Sequence, residues 1–235
     1  MILSGIAFGQ VEEVKMKHVD VDEVNVVPPK FVGLSNPIPA IKEGKFESFE
    51  DYLARNIVYP EKDAKSFNQG TEVVQFVISP TGELTDFAVL NSVCKKMDEE
   101  VIKVLKLTNG MWQPGFVNGC PAAMEKEVSV AFVLHPSNDF VKMAKSYMKQ
   151  GNKMLFEKSN PKKALKYYDA GINLLPNNET LLAVRGLCKY ELGDETGASR
   201  DWERISSLSH TFDSELLSKL TDLKGYKEFI TAFKL

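Results

Sequence analysis

Two hydrophobic periods divide the chain. Between residues 46 and 135 apolar positions follow short helical faces and alternating runs, while after residue 138 they recur at helical spacing almost without a break. Phe49, Tyr52, Leu53 and Ile57 share one helical face, with Ser48 three residues ahead of Asp51 as its start and Pro60, after Tyr59, as its stop. A loop is expected from there to Gly70. Glu72–Ile78 is rich in β-branched and aromatic residues and reads as a strand; Ser79 to Gly82 is a turn cluster, and Leu84 to Val93 is the second strand of a hairpin. Asp98, Glu99 and Glu100 suit the first turn of a helix bearing Val101, Ile102, Val104 and Leu105, which Asn109-Gly110 closes.

The stretch Gly110–Leu134 completes this unit. It contains Trp112, Pro114 and Gly115, then Asn118-Gly119, the strongest short hairpin signal because a type I′ turn needs positive φ at both central residues. The run after it reads as a strand, with Val128, Val130, Phe132 and Leu134 on one face and Ser129, Ala131 and Val133 on the other. The order helix–strand–strand–helix–strand predicts an α+β unit, a small antiparallel sheet of about three strands with helices on one face.

Residues 1–45 read as an extended lead or linker. Val24–Val27 suits a short strand that Pro28-Pro29 stops, and Pro37 and Pro39 keep the following chain extended, either as linker or as a proline-rich recognition segment. The first residues, Met1 to Gln10, form an apolar run whose Ala7-Phe8-Gly9 has the small-x-small form of a signal-peptidase site. They are either a short start or the remnant, at 1–9, of a longer secretion signal.

Residues 138–235 carry a repeat. Ala164, Tyr168 and Gly171 correspond to Ala198, Trp202 and Ile205 at a spacing of 34, and Gly151 corresponds to Gly186 at 35. A small residue, a turn, then Ala-x3-aromatic, with Pro176 after the first copy, resembles the tetratricopeptide pattern. Gly and Ala there let paired helices approach while the aromatic ring fills the gap. Helices are expected at 138–157, 161–174, 178–192 and 195–207. Capping helices over 213–233 would use Leu216, Leu217, Leu220, Leu223, Phe229 and Phe233. Two repeats are fewer than the roughly three a free-standing solenoid needs, so the cap and the first unit should prop them.

Charge sharpens this division. Residues 1–135 hold 13 Lys/Arg against 19 Asp/Glu, and residues 136–235 hold 16 against 13. The net charge of −3 speaks against a nucleic-acid binder. Eight lysines (142, 145, 149, 153, 158, 162, 163 and 166) face only Asp139 and Glu157 between residues 139 and 166. They make either a solubilising face or a docking patch for an acidic peptide or an anionic lipid surface. No run approaches the roughly 20 apolar residues of a membrane-spanning helix.

The residues expected of chemistry do not assemble. His18, His135 and His210 lie in three different regions without a partner at i+3 or i+4, and no phosphate-binding, dinucleotide or nucleophile-elbow motif occurs. Asp20, Asp22 and Glu23 lack the rest of a calcium loop and read as a solvated acidic lead. Cys94, Cys120 and Cys188 are too few for a disulfide framework or zinc site; Cys94 and Cys120 can pair only if two strand ends meet, and Cys188 reads as a core thiol. The expectation is no catalytic residue, no cofactor and no metal: not an enzyme.

Taken jointly, Tyr59-Pro60, Gly70, the hairpin with Gly82, Trp112-x-Pro114-Gly115, Asn118-Gly119-x-Pro121 and Phe132-Val133-Leu134 resemble the TonB C-terminal domain, in the form found in Bacteroidetes-type envelope proteins. The resemblance covers about residues 46–135 and implies a protein–protein interaction module of the periplasm or cell envelope. Its partner would be a segment of a TonB-dependent outer-membrane transporter, bound by strand addition along Val128–Leu134, with the repeats serving a second partner. A TonB energy transducer also has an N-terminal membrane helix and a long Pro/Lys-rich spacer; neither is legible here, so recognition without force transduction is expected. The alternative is a structural adaptor, in which the repeats bind and the TonB-like domain is a dimerisation or scaffold module. A cytoplasmic location follows if Met1–Gln10 is taken at face value.

Overall fold

The computed structural model describes residues 24–33, 48–66, 68–208 and 220–233. The expectations for Met1–Gln10, His18, the acidic lead, Pro37 and Pro39, His210, Leu216 and Leu217 fall outside those residues.

The α+β unit is built on three antiparallel strands, β3 (Gly70–Ile78), β4 (Leu84–Asn91) and β8 (Met124–Phe132), in the order β4–β3–β8. Helices α1 (Phe49–Asn56) and α3 (Lys95–Leu107) bury Phe49, Leu53, Met97, Val101, Val104 and Leu105 against the even-numbered face of β3, where Val74, Phe76 and Ile78 point. Ser48 caps α1, its hydroxyl accepting from the Asp51 N–H at 3.0 Å. The stretch expected as a loop after Pro60 instead begins with a short helix, α2 (Glu61–Lys65): Pro60 fixes the first turn, and the Ala64 N–H donates to its carbonyl. The second strand stops at Asn91, two residues early, and β8 starts at Met124, leaving Val133 and Leu134 beyond its end.

Short ribbons close the unit. Strands β1 (Val26–Val27) and β7 (Cys120–Ala122) flank β6 (Gly115–Val117), and β2 (Lys30–Phe31) pairs with β5 (Trp112–Gln113). The Val26–Val27 strand ends at the prolines as expected. The chain then re-enters as β2, which composition did not signal, because Phe31 finds a slot among Phe49, Tyr52 and Trp112. Asn118 and Gly119 both have positive φ, 50° and 80°, and join Val117 to Cys120 in a two-residue hairpin turn. No disulfide joins Cys94, which stands at the N-cap position of α3, to Cys120, which is exposed beside that turn.

The second core belongs to helices alone: α4 (Phe140–Asn152) running into a π turn at Lys153–Glu157, α5 (Pro161–Leu174), α6 (Glu179–Glu191), α7 (Glu195–Ser206) and α8 (Tyr226–Phe233). The two helical hairpins use the same device. A Cβ on Gly151 would lie 2.4 Å from the Tyr168 ring, and one on Gly186 would lie 2.3 Å from the Trp202 indole. Ala164 and Ala198 are buried at the corresponding places on α5 and α7; Gly171 and Pro176 are also buried, Gly171 facing Leu181. Cys188 lies in this core. Leu220 and Phe229 are buried in it too, with Phe229 edge-on to Trp202 at 5.8 Å.

The sheet does not keep helices to one face. Its odd-numbered face meets the helical unit, leaving Val73 only 1% exposed. Thr71 donates to the Leu174 carbonyl at 2.7 Å, Asn173 donates to the Gln69 carbonyl at 3.0 Å, and Arg204 pairs with Glu127 at 2.5 Å. A β-branched and polar outer face on β3 is what such a contact requires.

Candidate functional site

The sheet has two edges of different character. Along β4 the pairing with β3 slips twice, between Val73 and Val74 and between Gln75 and Val77, and Asp86 takes φ 51°. Bulges of this kind blunt an edge against further pairing. Along β8 the register runs unbroken through nine pairs, from Gly70↔Phe132 to Ile78↔Met124. No described strand pairs with its outer side. Residues 24–33 pair with β5 and β6 instead.

Hydrogen bonds around β3 show which backbone groups of β8 are available. The Thr71 carbonyl accepts from Asn91, and the Ser79 N–H donates to the Glu83 carbonyl, so odd residues of β3 address β4. Even residues of β3 therefore address β8, where they meet even partners such as Phe132 and Val130. The odd residues Glu125, Glu127, Ser129 and Ala131 direct their N–H and C=O groups outward.

Beside this edge lies a groove of about 440 Å³ between α1 and β8. Leu53, Ala54 and Ile57 form its helical wall, Tyr59 lies at its end, and Glu50 is the charged group in its lining. Val128 and Val130 are half-buried floor residues, Phe132 is buried, and Ser129, Ala131 and Val133 are exposed. Tyr59 stands edge-on to Phe132 at 5.4 Å and donates its hydroxyl to the Asn68 carbonyl, which fixes that end of the groove. Leu134 reaches back, its N–H donating to Gln69 at 3.5 Å. The seven residues Val128–Leu134 singled out from the sequence thus line this groove or adjoin it. The groove's α1 wall was not foreseen as part of a site, although the helical face bearing Leu53 and Ile57 was.

The other motif residues support this unit from elsewhere. Trp112 is 6% exposed, lies edge-on to Phe49 at 4.9 Å, and donates to the Thr108 hydroxyl at 3.0 Å. Gly82, at φ 84°, sits in the β3–β4 turn so close that a Cβ would be 2.4 Å from the Trp112 carbonyl oxygen. A Cβ at Gly70 would meet Asn173 at 2.7 Å, so that glycine serves the contact with the helical unit. Pro60 opens α2, Pro114 separates β5 from β6, and Gly115 begins β6 against Met124.

A second opening of about 680 Å³ separates the sheet from the helical hairpins. Val89 and Leu90 face it from β4, and Arg185, Lys189, Arg200 and Arg204 from the helices. Much of this positive charge is already engaged. Asp201 accepts from Arg185 at 2.7 and 2.9 Å and from Lys189 at 2.9 Å, and Arg204 pairs with Glu127.

One buried carboxyl was not anticipated. Glu72 lies at an inward position of β3, fully buried, and accepts from the Val93 N–H at 2.7 Å and the Cys94 N–H at 3.3 Å. Its second oxygen and one oxygen of Asp98 have no donor. A proton held between the two carboxyls satisfies both, and burial together with the Asp98 hydrogen bond pushes the Glu72 carboxyl up to about 8. Its alignment with Val74, Phe76 and Ile78 is the sequence signal that would have found it. Glu72 lines neither opening, and no group of three or more potential metal ligands occurs among the described residues.

A family model described as "Gram-negative bacterial TonB protein C-terminal" matches residues 55–134. Among solved structures, the NMR structure of the Helicobacter pylori TonB C-terminal domain is similar at 17% identity, over 37% of this chain and 89% of that one, with a TM-score of 0.30. No curated protein matches the chain at a significant level. The matched span runs from the end of α1 through β8 and so takes in the open edge. Residues 55–134 therefore form a TonB C-terminal-like domain.

Proposed function

We propose that this chain is a non-enzymatic recognition protein of the bacterial cell envelope that captures an extended peptide along the outer edge of β8. The unbroken register of β8, with an apolar groove beside it, carries this reading. A peptide laid antiparallel or parallel to β8 completes the outward N–H and C=O groups of Glu127, Ser129 and Ala131, and its alternate side chains enter the groove over Leu53, Ile57 and Tyr59. By kinship with the TonB family, the peptide is a segment of a TonB-dependent outer-membrane transporter and the setting is the periplasm of a Bacteroidetes-type cell. The domain comprises residues 46–135 with the strap 24–33 added. Residues 138–235 are two tetratricopeptide-like repeats with their cap, spaced by Gly151, Tyr168, Gly186 and Trp202, and they serve a second protein partner.

Proline at Ser129 or Ala131 removes one outward N–H while sparing the bonds to β3, a position that edge strands tolerate. Pull-down of a transporter segment by Ser129→Pro is expected to be lost, with the melting temperature little changed; undiminished capture would sink the proposal. A second reading makes the TonB-like domain a scaffold and places binding in the opening between sheet and helices, which both units line. On that reading Ser129→Pro retains capture, and Arg200→Glu in that lining abolishes it.

A further inference from the structure

A surface outside the lining of the β8 groove carries its own logic. On α4, Val141, Lys145 and Lys149 follow one another at intervals of four residues along one side of the helix, and Lys153 and Phe156 continue from it in the π turn. All five are exposed, Val141 at 50% and Phe156 at 38%, so the lysine row is bracketed by apolar side chains. Lys142 is exposed alongside, and the lysines at the start of α5 extend the positive charge. None of the eight lysines between 139 and 166 forms an ion pair with a described residue. Asp139 is engaged as the cap of α4, accepting from the Lys142 N–H at 3.0 Å. The segment 139–166 carries eight lysines against Asp139 and Glu157, in a chain whose net charge is −3.

We infer that this face rests on an anionic lipid bilayer. Lysine ammoniums are mobile point charges on long apolar stems, suited to a diffuse layer of headgroups rather than to a shaped carboxylate site. The face lines neither of the openings described above. Phe156 and Val141 supply the shallow apolar insertion that an interfacial helix combines with its basic residues.

The test is flotation of the 235-residue chain with vesicles of phosphatidylcholine alone or mixed with phosphatidylglycerol. Binding is expected on the mixed vesicles, absent on the neutral ones, and reversed by high salt. Removing three charges in K145Q/K149Q/K153Q should weaken it on the order of a hundredfold, at roughly fivefold for each lysine near an anionic surface. Phe156→Ser should weaken it further, while the exposed-lysine control K65Q/K96Q/K224Q should bind like the parent. The inference is overturned if the chain ignores phosphatidylglycerol, if the triple variant floats undiminished, or if poly-glutamate captures the chain and vesicles do not. Should the triple variant fail to fold, the salt titration of the parent chain decides: binding that high salt leaves intact overturns the inference.

Discussion

Trp112→Ala is expected to lose about 3–5 kcal/mol of stability, the range for emptying a buried aromatic site. The indole is the meeting point of three segments distant in sequence. Phe31 comes from the N-terminal strap, Phe49 from α1 and Phe76 from the central strand, with ring centroids 5.3, 4.9 and 5.9 Å from Trp112. The Lys126 ammonium lies 5.8 Å from its centroid, joining β8 to the cluster. Truncation also leaves the Thr108 hydroxyl without its indole donor. Because β5 pairs with β2, the strap should loosen together with the core. Urea unfolding followed by far-ultraviolet circular dichroism measures the loss, and Trp202 remains as a fluorescent reporter of the helical core. A midpoint within error of the parent would refute this view of Trp112 as the centre of the first core.

Glu72→Gln should abolish a pH dependence that the parent chain shows strongly. In the folded chain the Glu72 carboxyl keeps its proton up to about pH 8, whereas unfolded it ionises near its ordinary 4.5. Between these values the folded state binds more protons than the unfolded one. Stability therefore falls as pH rises through this window, by at most about 1.4 kcal/mol per pH unit. Glutamine keeps the shape, still accepts from Val93 and Cys94, and offers its amide to the orphan oxygen of Asp98. Unfolding midpoints at pH 4.5 and pH 8 should differ widely for the parent and much less for the variant. Equal slopes would mean that the carboxyl pair is ionised in the folded protein.

Much of the architecture was legible because local and tertiary preferences agree. Ser48, Asn118-Gly119 and the β-branched run in β3 each specify their own geometry, and the structure follows them. The 34-residue spacing marked the Gly–aromatic contacts of the helical hairpins for the same reason: a missing Cβ and a large ring are complementary wherever helices cross closely. What could not be read was relative placement. Nothing local in α1 says that Leu53, Ala54 and Ile57 will stand beside β8 to make a groove. Nothing in Thr71 or Glu127 says that their side chains will bond to helices more than 75 residues away, as the separations of 103 to Leu174 and 77 to Arg204 show. The strand Lys30–Phe31 escaped for a different reason: two residues carry too little pattern, and Phe31 is held by the aromatic cluster rather than by propensity.

The difference between the two sheet edges matters most for function. Composition gave β4 and β8 similar standing as strands, yet the slips at Val73/Val74 and Gln75/Val77 blunt one edge, and the regular register leaves the other open. Amide hydrogen exchange with and without an added transporter peptide tests that distinction directly. Strand addition predicts new protection at the outward amides of Glu127, Ser129 and Ala131, with no change along Leu84–Asn91. Protection confined to β4, or to the helices lining the opening beneath the sheet, would contradict it.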